Sequence, residues 1–374
     1  MDRLELSPRP DWRERVEALG LVWHTADGVP YWNESACYSF TRTQVREIGR
    51  ATEALYGLCL EAGQHIVDQN LFHRFGIPEF AVGLIREAWE TEPPALNYGR
   101  FDLTYDGSGP PKMYEFNCDT PTSLLEAAVV QWDWLEAVFP GCDQFNGIHD
   151  ALIARWREIA PRLPPILHVT WSSEGAAEDA VTAAYMRDVA REGGVPSIPV
   201  PIEDIGWNGQ TFIDAAGGPI EALYHLYPWE WLVSEEFGPK IAEVPLLWIE
   251  PIWKMIWSNK ALLPILWDLF PGHPNLLEAS FTPMAGDHVR KPILAREGAN
   301  ISVVRGGQVV EATGGGYGDE GYVWQRLCSP PAFGDAMPVI GSWVVDGAAV
   351  GMGVREDGLI TGNTARFTPH LIRG

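Results

Sequence analysis

Tyr98-Gly-Arg-Phe-Asp-Leu-Thr-Tyr105, Asp106-Gly-Ser-Gly-Pro-Pro111 and Lys112-Met-Tyr-Glu-Phe-Asn117 read as strand, turn and strand. Side chains alternate between the faces of a strand, so Arg100, Asp102 and Thr104 share one face while Phe101, Leu103 and Tyr105 share the other. On the second strand Glu115 and Asn117 lie together. A turn centred between Ser108 and Gly109 opposes Asp102 to Glu115 and Arg100 to Asn117. Two carboxylates facing each other across a hairpin repel, and such a pair calls for a compensating cation. Asp, Glu and Asn oxygens suit Mg²⁺, which is commonly shared with substrate phosphates. A neighbouring arginine suits a phosphoryl or carboxylate oxygen. The competing reading is a solvated hairpin face carrying an Arg–Asp ion pair.

Immediately downstream, Cys118-Asp-Thr-Pro-Thr-Ser123 leads into an apolar helix and offers hydroxyls and N–H groups where anions bind, or an ordinary N-cap. A basic set lies further on. Ser258-Asn-Lys260 precedes a hydrophobic run, and Val289-Arg-Lys-Pro-Ile-Leu-Ala-Arg-Glu-Gly-Ala-Asn-Ile301 places Lys291 on a strand and Arg296 in a loop with Gly298. Lysine supplies a point charge for phosphates, and backbone donors of a loop can close over them. Taken alone, Lys260 reads more readily as a lysine on a helix face. Gly314-Gly-Gly-Tyr-Gly318 reads either as a phosphate cradle or, since it does not match a P-loop, more readily as a surface turn. Arg355 stands at a strand end, followed by Thr361-Gly-Asn363.

Apolar residues at Val45, Ile48, Leu55, Cys59, Ala62 and Ile66 predict a long amphipathic helix over 43–70. Further helices are expected over 81–90, 123–139, 150–162 and 176–192, with strands over 166–170 and 197–200. The middle of the chain thus alternates strand and helix, as α/β proteins do. Beyond residue 289, glycine turns separate short strands at 301–304, 309–311, 323–327, 339–345 and 348–354, and Asp346-Gly347 signals a hairpin. A unit boundary falls near residue 150.

With 374 residues, 46% of them hydrophobic and 21% charged, the chain has material for a sizeable core, which excludes disorder, fibre and membrane span. The net charge of −23 argues against nucleic acid or an anionic membrane as partner and permits a cationic one. Five scattered cysteines suggest neither a disulfide framework nor a zinc site and point to a reducing cytoplasm. The first ten residues have no apolar segment like that of a signal peptide. Seventeen tryptophans are either core residues or a sugar-stacking platform, and on the latter view Glu230 and Glu250 would be a glycosidase acid/base pair. The same two glutamates also read as buried ion-pair or adenine-pocket residues. His168 and His225, in apolar runs, read as core histidines, and no nucleophile motif is present.

Together, Arg100-x-Asp102, Glu115-x-Asn117-x-x-Thr120-Pro-Thr-Ser, Tyr227-Pro-Trp-Glu, Ser258-Asn-Lys-Ala-Leu-Leu-Pro264, Lys291-Pro-Ile-Leu-Ala-Arg-Glu-Gly-Ala-Asn300 and Gly341-Ser-Trp to Arg355-Glu-Asp resemble the glutathionylspermidine synthase family over nearly the whole chain. The likeness is to stand-alone bacterial members that lack the N-terminal amidase. It implies an α/β (α+β) ATP-grasp fold with rearranged strand order and a pre-ATP-grasp-like domain. The expected division is 1–150 with the hairpin, 151–245 as the pre-ATP-grasp-like unit and 246–374 as the nucleotide-binding region. The implied activity is ATP-dependent ligation of a carboxylate to an amine through an acyl phosphate, with ATP and Mg²⁺ as cofactors. A glutathione-like peptide and a polyamine are the implied small-molecule partners. By that resemblance Asp102, Glu115 and Asn117 hold Mg²⁺, Arg100 steadies the transferred phosphoryl group, and Arg355 contacts phosphate or acceptor carboxylate. Lys260, Lys291, Arg296 and Gly298 attend the ATP phosphates, and Gln325 to Leu327 lie along the adenine. Family members carry serines where this chain has Thr120 and Thr122, which bears on acceptor specificity. A glutamate–aspartate pair, Glu178 and Asp179, faces an ammonium or solvent. Two rivals are a regulatory ATP-binding protein on the same fold and a carbohydrate-active hydrolase.

Overall fold

A computed structural model describes residues 1–26, 28–175, 177–362 and 365–373. The hairpin forms as Tyr98–Thr104 and Lys112–Asn117, with Arg100 opposite Asn117, Phe101 opposite Phe116 and Asp102 opposite Glu115. Its turn is closed by Asp106, whose Oδ1 accepts from the Ser108 and Gly109 N–H groups at 2.8 Å each. Between turn and site the register shifts: Leu103 pairs with Met113 and Thr104 with Lys112, so Tyr114 is the extra residue of a β-bulge. The expected register therefore holds at the functional end alone.

The hairpin is not a free-standing ribbon. It extends a five-stranded antiparallel sheet whose order is Arg366–Thr368, Ala348–Asp357, Met337–Val345, Tyr98–Thr104, Lys112–Asn117. Ile340 sits opposite Leu103, Gly341 opposite Asp102 and Trp343 opposite Arg100. Behind this sheet runs the helix Arg42–Asp68, begun by a capping box in which Thr41 and Gln44 exchange side-chain and backbone bonds. Its buried stripe of Val45, Ile48, Leu55, Cys59, Ala62 and Ile66 joins Phe101, Leu103, Tyr105 and Phe116 in one core. The period of 3.6 in the helix and of 2 in the strand thus meet on the same apolar layer. Arg100, Asp102 and Thr104 are left pointing the other way.

A second antiparallel sheet carries the basic strand, in the order Ala279–Ser280, Tyr322–Arg326, His288–Pro292, Ser302–Arg305, Gln308–Ala312. A third, of four parallel strands, has the order Leu247–Ile249, Ala222–Leu226, Leu167–Trp171, Ser197–Pro199. The helix Ala177–Glu192 packs on it; residue 176, its expected first residue, lies outside the described residues, as does Asn363. Strands at Asp2–Glu5, Ala36–Thr41 and His370–Arg373, which the sequence reading did not anticipate, form a further small sheet. Asp346 and Gly347 both have positive φ, as the turn joining Met337–Val345 to Ala348–Asp357 requires.

The helix expected over 123–139 is interrupted. A π-helical turn covers Glu126–Val130, followed by α-helix over Gln131–Val138. The Gln131 side chain supplies the reason: its amide donates to the Ala127 carbonyl at 2.6 Å and to that of Met352 at 2.8 Å, inserting into the helical ladder. Tryptophans Trp32, Trp134, Trp156, Trp229, Trp257 and Trp343 are fully buried and belong to the core, while Trp132 and Trp231 are exposed. His168 and His225 are buried as expected. Among the described residues no helix is long and apolar enough to cross a membrane.

Glu250 is likewise structural. It is fully buried, pairs with Lys254 at 3.1 Å and accepts from the N–H groups of Leu96 at 2.9 Å and Asn97 at 3.2 Å, tying the parallel sheet to the start of the hairpin. Lys254→Met would strand that carboxylate in the core. Urea denaturation should then show a loss of about 3–5 kcal/mol in unfolding free energy.

Candidate active site

Arg100 and Asp102 are 6% and 5% exposed, so the hairpin face is a cleft wall and the solvated reading falls. The cleft has a volume of about 570 Å³ and is lined from both antiparallel sheets, from the Thr120–Ser123 segment and from the end of the parallel sheet. Arg100 donates through Nε to Asp102 at 2.8 Å and through Nη1 to the Thr122 carbonyl at 2.5 Å. Arg355 reaches the other oxygen of Asp102 at 2.5 Å. Lys260 Nζ stands 3.3 Å from Glu115 and donates to the Ala295 carbonyl at 2.7 Å. Lys291 donates to Gln325 at 2.8 Å and to the Tyr114 carbonyl at 3.0 Å, the group that the bulge releases from the ladder.

Each opposed carboxylate is thus answered by cations. Four basic side chains, Arg100, Arg355, Lys260 and Lys291, surround two acids, which leaves a positive surplus inside a strongly acidic protein. Burial by itself would raise the Glu115 pKa; Lys260 and Lys291 outweigh it and hold the carboxyl at about 2. Burial pushes Lys291 down to about 8 against the opposing pull of Glu115. Arg355 Nε is buried without a partner, a donor left over for an anion.

The donor set also fits Mg²⁺. Asn117 lies beside Asp102, with Nδ2 at 3.4 Å from Oδ2, so two carboxylates and one amide converge. Among the described residues no three His, Cys, Asp or Glu side chains form a cage. An ion that keeps waters and takes phosphate oxygens needs only one or two carboxylates.

Arg296 is held apart from these four cations. It pairs with Glu230 at 2.9 Å, donates to Thr120 Oγ1 at 2.9 Å and lies over the Trp231 ring. Glu230 and Glu250 therefore serve separate ion pairs. Gly298, at φ +69°, allows the loop to approach Thr361, whose carbonyl would stand 2.8 Å from an added Cβ. Gln325 is buried, bridging Lys291 to the Met113 carbonyl, while Leu327 lines the cleft. Thr361 lines it too, and Gly314–Gly316 and Gly318 do not.

Sequence reasoning quoted Gly341 within the family resemblance without giving it a role, and overlooked Tyr31 and Glu126. A Cβ on Gly341 would lie 2.6 Å from Arg100 Cδ, so its hydrogen is what lets the arginine stem cross the sheet. Tyr31 joins the cleft from an N-terminal loop, next to Ser123 and Glu178. That end is acidic: burial raises Glu178, lifts Asp179 to about 6 and lifts the fully buried Glu126 to about 8. Only the fold brings these positions together, and no local motif marks Tyr31 or Glu126.

The cleft lies between two antiparallel sheets and gathers both cationic and acidic side chains, which accords with a carboxylate–amine ligase of the ATP-grasp type. The chain belongs to the glutathionylspermidine synthase family, whose pre-ATP-grasp model matches residues 3–373. A Haemophilus influenzae protein named "Putative acid--amine ligase" is 40% identical over 97% of both chains. The trypanothione synthetase of Crithidia fasciculata is 27% identical over 85% of this chain. The bifunctional glutathionylspermidine synthetase/amidase of Escherichia coli is 28% identical over 86%. This chain spans 54% and 56% of the length of those last two. A glutathione synthetase-like effector from Globodera pallida shares the fold, with a TM-score of 0.60 over 97% of this chain and 95% of its own at 11% identity.

Gly341→Ala should displace Arg100 while leaving the sheet paired. Ligase turnover is expected to fall by about 10–100-fold, since small misplacements are costly at a reacting centre, with little change in thermal midpoint.

Proposed function

We propose that the protein uses Mg-ATP to convert a substrate carboxylate into an acyl phosphate and passes the acyl group to an amine. The carboxylate is that of a glutathione-like peptide and the amine a polyamine. The observation that carries this reading is the surplus of cations around the opposed Asp102 and Glu115 in the cleft. Phosphoryl transfer needs positioning and charge neutralisation rather than a protein nucleophile.

On this reading Asp102, Glu115 and Asn117 hold Mg²⁺, which when bound neutralises phosphate charge. Arg100 and Arg355 grip the transferred phosphoryl group, and the free Nε of Arg355 is directed to it. Lys260 and Lys291 take the ATP phosphates, with Arg296 and Gly298 in the covering loop. Leu327 borders the adenine; Gln325 acts mainly by orienting Lys291. Glu178 and Asp179 receive the ammonium groups. We assign residues 1–150 and 246–374 to the nucleotide-binding body and 151–245 to the pre-ATP-grasp-like unit. All five cysteines are free, which accords with a cytoplasmic protein.

The first test is ADP release from Mg-ATP with thiol peptides crossed against polyamines, with product masses read alongside. The expected product is a condensed mass less one water, formed with both partners present; ADP release indifferent to both partners would overturn the ligase reading. Asp102→Asn and Glu115→Gln should each cut turnover at least about 100-fold, and wild-type rates would remove them from the metal site. Lys291 in the free protein loses its proton as pH rises through about 8. Nucleotide affinity, measured calorimetrically, should accordingly weaken above that pH, and Lys291→Ala should bind weakly at every pH.

A further inference from the structure

The structure assigns Tyr31 and Glu126 to a proton path leading out of the amine end of the cleft. The inference rests on the ligase reading above. An amine attacks an acyl phosphate only as the free base, whereas alkyl amines are ammonium ions at neutral pH. The cleft residues that face the acidic end must therefore accept a proton.

Tyr31 lines the cleft and its hydroxyl is bonded on two sides. It lies 3.2 Å from Ser123 Oγ and donates to Glu126 Oε1 at 2.8 Å. Glu126 itself does not line the cleft; it is fully buried at the head of the π-helical turn. Trp23 Nε1 donates to the same Oε1 at 3.2 Å, and Oε2 has no partner. A buried carboxyl with one free oxygen, bonded to a phenol that itself lines the cleft, is a poor structural brace. It is well placed as a proton store.

The charged neighbours agree. Glu178, from the helix Ala177–Glu192, opposes ionisation of Glu126; Arg100 and Arg355 lie near Glu178, and Arg355 also near Tyr31. Burial and Glu178 together raise Glu126 to about 8, close to the range in which a general base works at physiological pH. An ammonium arriving beside Glu178 cancels that repulsion and favours the carboxylate that accepts the proton.

In the transfer, the ammonium passes one proton to the Tyr31 oxygen as the phenol gives its own to Glu126. The nitrogen lone pair then attacks the acyl carbon, forming the C–N bond. The bond from that carbon to the phosphate oxygen breaks, its electron pair leaving with inorganic phosphate. A second nitrogen proton goes to the departing phosphate, and Glu126 later returns its proton to solvent by the same path. Nothing is oxidised or reduced.

The test compares two acceptors with glutathione and Mg-ATP: spermidine, an ammonium, and hydroxylamine, already neutral at neutral pH. Tyr31→Phe keeps the ring and removes the relay; Glu126→Gln keeps the shape and removes the base. Both should lose about 100-fold with spermidine, form hydroxamate from hydroxylamine at the wild-type rate, and recover spermidine turnover as pH rises. Equal losses with both acceptors would mean a structural role and overturn the proposal, as would an unchanged spermidine rate. If Glu126→Gln fails to fold, Tyr31→Phe decides. Wild-type protein that forms neither the spermidine conjugate nor hydroxamate overturns the ligase reading and the relay with it, whereas a wild type that ligates with variants insensitive to acceptor or to pH overturns the relay alone.

Discussion

Asp102 and Glu115 face each other across a buried pair of strands, and their mutual repulsion shapes what surrounds them. Buried carboxylates persist only when paired, and here the partners come from distant parts of the chain. Arg100 stands on the same strand, Arg355 on a C-terminal strand, and Lys260 and Lys291 on the opposite wall. The cleft is held together by these pairs, and its closure joins the hairpin to the second sheet. Around the Asp102–Glu115 pair cations outnumber acids, so this part of the pocket favours anions despite the −23 charge of the whole protein.

The cleft gathers both signs of charge. Arg100, Arg355, Lys260 and Lys291 surround Asp102 and Glu115, while Glu178 and Asp179 line the cleft as well and Glu126 is buried behind Tyr31. A ligase that brings a phosphate and an ammonium to one acyl carbon needs both. The tight packing around them is achieved by small residues and irregular backbone. Gly341 makes room for the Arg100 stem, the bulge at Tyr114 releases a carbonyl for Lys291, and the π-helical turn begins at Glu126. Irregularities of this kind concentrate at functional sites.

Much of the frame is legible in the residues. The spacing of Val45, Ile48, Leu55, Cys59, Ala62 and Ile66 marks the long helix because only an apolar stripe at that period can cover a sheet. The alternation from Tyr98 to Tyr105 marks the strand, and Asp346-Gly347 its neighbouring hairpin. The pairing of Asp102 with Glu115 follows from turn position. The bulge does not, because nothing in Tyr114 itself distinguishes an extra residue from a paired one. Arg355 carries no local signal of its role; it acquires one when Val339 and Ile340 align its strand with the hairpin.

Sequence alone determined which side chains bear charge, which face of each element they occupy and how neighbouring strands turn, because those properties repeat over a few residues. Tertiary structure decided which charges meet. Tyr31, Ser123 and Glu126 form a chain only because a loop, a helix start and a π-helical turn are packed together over about a hundred residues of sequence. Burial then sets their chemistry: the same carboxyl that would be ionised on a surface is pushed to about 8 when desolvated beside Glu178.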